Sequence, residues 1–200
     1  MRKKLLIIGA GGHGKVVADV AKTMNKYEGI CFLDDNPTKE FLYPILGKIK
    51  DLHKFVNTHD IFVAIGNQKV RRSIMESINV DFATLIHENS IIGSNVEIGM
   101  GCVIMPGAVI NAGTKIGNGV IVNTCSSIDH DCVINDYCHI SVGAHVCGTV
   151  NIGDMTWVGA GATVINNVSI TNDCMIGAGA VVIGDICESG TYVGVPAELK

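Results

Sequence analysis

Ile86, Ile92, Ile98, Ile104, Ile110, Ile116, Val122, Ile128, Ile134, Ile140, Val146, Ile152, Val158, Val164, Ile170, Ile176 and Val182 follow one another at intervals of six, without an insertion or an omission. Four positions after each stands a small or β-branched residue, as at Cys102, Ala108, Thr114, Val120, Ser126, Cys132, Cys138, Ala144 and Val150. Period six fits neither an amphipathic helix nor an alternating strand. It is the period of a hexapeptide β-helix, in which three short strands and three turns close one coil. The expected fold of 86–200 is therefore a left-handed parallel β-helix. Each hexad's aliphatic residue points inward and stacks on the residue 18 positions further on, the flanking residues point outward, and the next two turn the corner. Flat outer faces suit side-by-side packing as a homotrimer. Solenoid ends need covering, a task expected of the N-terminal domain at one end and of Ile186 to Lys200 at the other.

Composition narrows the function. Two hundred residues suffice for one or two domains with a real core. A formal charge of −4 leaves no basic footprint, so nucleic acid is not an expected partner. Of the eight cysteines, Cys102, Cys132, Cys138 and Cys174 occupy the small inward position of their hexads and read as small hydrophobes with reduced thiols. The start, Met1 to Lys4 followed by a five-residue apolar run, is too short for a signal peptide. No run approaches the length of a membrane span. A cytoplasmic protein is expected.

Residues 1–85 carry a different pattern. Apolar runs over Lys4 to Gly9, Gly29 to Leu33 and Ile61 to Ile65 alternate with helical spacing over Lys15 to Met24 and Lys69 to Ile78. A short helix is read over Ile49 to Val56, and Pro37 and Pro44 mark an irregular connection. This alternation predicts an α/β domain, about half a Rossmann fold, whose ligand lies outside the carboxyl ends of the strands. Those ends carry Gly9 to Gly14, Asp34 with Asp35, and Gly66 with Asn67. Gly9, Gly11 and Gly14 have the spacing of the dinucleotide fingerprint, and glycines let a phosphate approach N–H groups at a helix start. With half a Rossmann fold present, a nucleoside diphosphate fits better than NAD; glycines serving only a tight turn are the plain alternative. His13 donates to a phosphate or fills the turn, and Asp34 and Asp35 accept from a ribose or base or cap the strand.

In the repeat, His130 follows inward Ile128 by two and so sits at a corner facing out. Histidine titrates near neutrality, which suits a general base, and Asp131 can hold its tautomer. His139 and His145 each precede an inward residue and face outward. Three outward histidines invite a zinc reading, but no metal is the expectation; His139 reads better as a donor to an acyl carbonyl. Cys125, at a corner, is the one nearby thiol able to reach a site. Small residues at Gly159 to Ala162 and Gly177 to Ala180, 18 positions apart, suit either a groove for a narrow ligand or close packing of coils.

Gly9 to Gly14, Phe32 to Asp35, Ala64 to Asn67, Asn123 to Asp131, His139 to Ala144 and Gly194 to Ala197 together resemble the PglD/NeuD-like sugar O/N-acyltransferases, in order and over essentially the whole chain. The resemblance implies an acetyl-CoA-dependent N-acetyltransferase acting on the C4 amine of a UDP-linked 4-amino-4,6-dideoxy sugar in bacterial glycan biosynthesis. It implies His130 as base supported by Asp131, acetyl-CoA contacts at His139, Ala160 and Ala178, and nucleotide-sugar contacts at Gly11, Gly12, His13, Asp34, Asp35 and Gly66. Alternatives are O-acetylation of sialic acid or another sugar, a zinc carbonic-anhydrase-like enzyme, and a nucleotide-sugar sensor without catalysis.

Overall fold

The computed structural model describes residues 3–36 and 41–200. Pro37 of the expected irregular connection lies outside the described residues. The chain divides by contacts into Met1–Glu88 and Asn89–Lys200, three residues later than the boundary expected from the repeat.

In the first unit β1 (Lys3–Ile8), β2 (Tyr27–Leu33), β3 (Ile45–Gly47) and β4 (His59–Val63) form a parallel sheet of order β3-β2-β1-β4. Leu5, Leu6, Ile7 and Ile8 are all fully buried. A strand covered on both faces reads as a continuous apolar run, which is why β1 shows no alternation. Helix α1 (Gly12–Thr23) turns Val17, Ala18, Val20 and Ala21 to the core. Helix α2 (Gln68–Glu76) buries Arg71 and Met75. The 49–56 helix is a 3-10 segment at Ile49–Lys54. Strand β3 was not expected, since three residues carry no readable period. Helix α1 starts three residues before its apolar spacing begins, because glycines contribute nothing to that spacing.

The register positions the loops. Ile8 pairs with Leu33 on one side and with Val63 on the other, so β1, β2 and β4 end level. Gly9, Asp34 and Ala64 thus begin three loops along one sheet edge, where the strand order changes direction.

The second unit is a parallel β-helix. Two-residue strands recur every six residues, from Ile91–Ile92 to Val181–Val182, each ending on a hexad aliphatic. They build three sheets, called here face 1 (Val103–Ile104 to Met175–Ile176), face 2 (Ile91–Ile92 to Val181–Val182) and face 3 (Glu97–Ile98 to Ser169–Ile170). Ile116 lies over Ile134 and Ile134 over Ile152, the expected 18-residue stack. Ile110 to Val182 of the hexad series are buried. Ile92 is 37% exposed, because the first coil has no coil beneath it to stack on.

Every sixth residue from Asn95 to Gly179, the second of each corner, has positive φ. From Gly107 on, its N–H bonds the coil below, as Asp131 N–H to Ala112 O at 3.0 Å and Thr149 N–H to His130 O at 2.9 Å. Between faces 3 and 1 a ladder of side chains adds to this: Asn118, Asp136, Asp154 and Asn172 each accept through Oδ1 the N–H of the residue 18 positions earlier. At the C-terminal end Thr191–Val193 continues face 1 in parallel, then Glu198–Leu199 returns antiparallel. That return strand runs against the parallel order of the coils. Among the described residues no helix is long and apolar enough to cross a membrane.

Ile152 is fully buried between Ile134 and Ile170 in the middle of face 3. Ile152→Ala should cost about 2–5 kcal/mol, read as a lower urea midpoint at unchanged m-value.

Candidate active site

His130 and Asp131 are the two corner residues between faces 2 and 3, following Ser127–Ile128 and preceding Val133–Ile134. Asp131 has φ 56°, a left-handed conformation that aspartate tolerates better than most residues. The two side chains are 56% and 69% exposed, and His130 Nδ1 lies 2.9 Å from Asp131 Oδ2. A carboxylate only accepts, so Nδ1 carries the proton and Nε2 keeps its lone pair. Below the ring, Asp129 Oδ1 accepts the His130 N–H at 2.8 Å and Asn111 Nδ2–H at 2.8 Å. The hydrogen bond to Asp131, then the charge of Asp129, raise the His130 pKa above its usual 6.5. The Asn111 amide in turn holds the Asp129 carboxyl below its ordinary range. An exposed imidazole with a fixed tautomer and strengthened basicity is equipped to accept a proton from an incoming nucleophile.

His139 begins its strand on face 1 and points away from the coil interior, as expected, yet it is only 6% exposed. Trp157, its neighbour one coil on, covers the ring at 4.4 Å between centroids, and Trp157 Nε1–H donates to Ser141 Oγ at 2.5 Å. Asn123 Oδ1 accepts the Thr124 N–H at 2.8 Å, which fixes the amide so that Nδ2–H donates to His139 Nε2 at 3.0 Å. His139 is therefore neutral with its proton on Nδ1. Nε2 accepts and Nδ1 is buried, so His139 is not the base.

Ala160 and Ala178 lie exposed, one coil apart, at the corner between faces 1 and 2. Beside them a Cβ added at Gly161 or Gly179 would meet nothing within 4 Å. His139, Ala160 and Ala178 thus share one side of the coil, whereas His130 lies beyond face 2. His145 stands on face 2, its Nδ1 2.8 Å from Ser127 Oγ. Cys125 is exposed, one corner before His130 and away from it. Cys132 and Cys138 are fully buried, with Sγ donating to Cys147 O and Gly153 O. Among the described residues no group of three His, Cys, Asp or Glu side chains is arranged to hold a metal ion.

At the sheet edge of the first unit, the glycines separate into two kinds. A Cβ on Gly14 would collide with Gly9 O, and one on Gly9 would lie 2.9 Å from Ala64 O. At Gly11, Gly12 and Gly66 it would meet nothing within 4 Å. The first pair serves packing, and the other three leave open approach to backbone. Asp34 braces the loop: Oδ2 accepts the Ala10 N–H at 2.6 Å and Oδ1 the Asn36 N–H at 2.7 Å. Asp35 Oδ1 accepts the Ile49 N–H at 3.0 Å. His13, the second residue of α1, has Nε2 buried without a hydrogen-bond partner. Burial, with the Arg71 guanidinium second, pushes its pKa down to about 4, so it is neutral at physiological pH. Arg71 is fully buried and donates through Nη1 to Ile65 O and Gly66 O at 2.7 and 2.9 Å, shaping the loop after β4. Arg71, Asn111 and Asn123 were not legible as supports from their sequence context; only spacing by 18 along the coils links Asn111 to Asp129.

Comparison with known proteins accounts for both halves. Residues 4–78 match the PglD N-terminal domain, and residues 149–184 match the bacterial transferase hexapeptide of six repeats. The chain is that of a hexapeptide-repeat acyltransferase with a PglD-type N-terminal domain. It belongs to the PglD-like family of sugar N-acetyltransferases. A GDP-perosamine N-acetyltransferase of Escherichia coli O157:H7 is 32% identical over 72% of this chain and 70% of its own length. A UDP-N-acetylbacillosamine N-acetyltransferase of Bacillus subtilis (strain 168) is 34% identical over 52% of this chain, a match spanning about half (51%) of that protein. The acetyltransferase domain of PglB from Neisseria gonorrhoeae FA1090, solved with acetyl coenzyme A, is 38% identical, with a TM-score of 0.96 over 100% of both chains.

Asp131→Asn replaces the acceptor that raises the His130 pKa. The ring's titration, followed by NMR, should move toward lower pH. The acid limb of the activity profile should move with it, because the base then stays neutral further into acid. An unmoved titration would refute the Asp131 assignment.

Proposed function

We propose that the protein transfers the acetyl group of acetyl-CoA to the C4 amine of a UDP-linked 4-amino-4,6-dideoxy sugar, as a cytoplasmic homotrimer serving bacterial glycan biosynthesis. The observation that carries this is the His130–Asp131 pair, whose Nε2 is left as an exposed base. The amine nitrogen attacks the thioester carbonyl carbon while its proton passes to His130 Nε2. The carbonyl oxygen becomes an oxyanion, for which His139 or a neighbouring backbone N–H is the proposed donor. As the C–S bond breaks, the imidazolium returns its proton to the departing thiolate, giving amide and free CoA.

The placement of residues supports a site between chains. Acetyl-CoA running past Ala160 and Ala178 toward His139 uses one chain, and His130, across face 2, belongs to the next. Gly11, Gly12 and Gly66, open at the strand ends, suit a diphosphate at the start of α1. His13, held neutral there, and Asp35 are the polar groups proposed to meet the nucleotide sugar. Asp34, with both carboxylate oxygens already on backbone N–H groups, supports the loop and is proposed to contact the ligand through its remaining lone pairs. The relatives differ in their nucleotide; UDP is chosen on the resemblance of the whole chain.

Thiol release from acetyl-CoA against a panel of UDP-, GDP-, dTDP- and CMP-sugars tests the substrate, with UDP-4-amino sugars expected to turn over fastest. His130→Ala should abolish turnover and leave the trimer and CoA binding intact; near-normal kcat in it would sink the mechanism. Gly12→Ala should leave the melting temperature unchanged or raise it, since alanine is the better helix former. It should nevertheless raise KM for the nucleotide sugar alone, and an unchanged KM would return Gly12 to a turn residue.

A further inference from the structure

The His130–Asp131 pair lies in a slot cut by two glycines, one in each neighbouring coil. One coil before Asp131, a Cβ on Gly113 would stand 2.6 Å from Asp131 Oδ1. One coil after His130, a Cβ on Gly148 would stand 2.6 Å from His130 Nε2, 2.8 Å from Cε1 and 3.2 Å from Cδ2. The two glycines have different reasons to be glycine. Gly113 has φ +74°, so its backbone alone favours the residue. Gly148 is outside the left-handed region. Its counterparts at the same corner position, Ala112, His130 and Asn166, all carry side chains. Neither the backbone nor the corner demands glycine at 148; the imidazole does.

We propose that Gly148 is a positioning residue for His130, whose missing side chain sets how deep the imidazole lies against the coil and where Nε2 meets the acceptor. The proposal rests on His130 acting as the base. Two other contacts hold the group: Asp131 takes Nδ1–H, and Asp129, braced by Asn111, takes the backbone N–H. Neither fixes the Nε2 edge of the ring. Gly148 is the floor beneath it. A methyl there forces Nε2 to move, since 2.6 Å is closer than a real Cβ contact allows. The side chain, 56% exposed, makes that move by turning about its own bonds, which draws Nδ1 from its 2.9 Å contact with Asp131.

Gly148→Ala should then lower kcat roughly 100-fold, the scale of an ångström-sized misplacement of a reacting group. KM for acetyl-CoA and for the sugar should stay within a few-fold. Asp131 and Asp129 are the charged groups facing the ring. Loss of the Asp131 contact should shift the His130 titration, and the acid limb of kcat, to lower pH. A stability cycle separates this from general damage: Gly148→Ala should lower the melting temperature in the wild type and much less in His130→Ala, where no ring remains to collide. The same loss in both backgrounds, or an unmoved titration with wild-type kcat, would overturn the proposal. The ring titration and the stability cycle need no substrate. A wild type that releases no thiol with any sugar would therefore defeat the proposed function and leave these two measurements to judge Gly148.

Discussion

Everything in the second unit depends on one constraint, the parallel stacking of each residue on the residue 18 positions before it. The strands are only two residues long, so no strand is stable alone. Each hexad survives because two N–H groups at its strand bond the next coil and its corner N–H bonds the previous one, while its aliphatic residue closes against those above and below. Val133 and Asn135, for instance, donate to Val150 and Ile152, and Thr149 donates to His130. A corner side chain consequently has its neighbours prescribed. Asn111 lies under Asp129, Gly113 under Asp131, and Gly148 over His130. The geometry of the His130–Asp131 pair belongs to three coils, although the pair itself is two adjacent residues.

The same stack divides the histidines by role. His130 stands in water at a corner, where a carboxylate neighbour raises its basicity. His139 stands on a face under Trp157, where an amide of fixed orientation holds it neutral with its proton on the buried Nδ1. His13, in the other unit, is neutral for a third reason, burial beside a guanidinium. Acid–base and hydrogen-bonding roles separate when environments push like groups apart. Here the environments are a corner, a sheet face and a helix start.

The fold was legible because its signal is periodic and uninterrupted. Seventeen hexads admit one architecture, and position within the hexad sent Cys132 and Cys138 inward and His130 outward correctly. What escaped was whatever depends on the neighbour 18 residues away. The burial of His139 comes from Trp157, a residue with no motif of its own. The brace on Asp129 comes from Asn111, and Gly148 resembles any other turn glycine until the coil is closed. In the first unit the glycine motif announced a phosphate-sized approach. It could not separate Gly9 and Gly14, fixed by packing, from Gly11 and Gly12, which nothing in the chain occupies. Strand β3 was missed because three residues cannot show a period.

The division of labour between the units follows from hydrogen bonding. A β-helix consumes its backbone N–H groups in bonds between coils, and no helix is present in 89–200 to leave donors over. Such a surface can line an acyl donor with small side chains and present a histidine at a corner. It offers no cluster of N–H groups to a diphosphate. The start of an α-helix leaves its first N–H groups without intrahelical partners. Helix α1 does so between open glycines, beside two further loops that end level with it. A chemistry needing both a thioester and a charged nucleotide therefore calls for two kinds of backbone, and this chain supplies one in each unit.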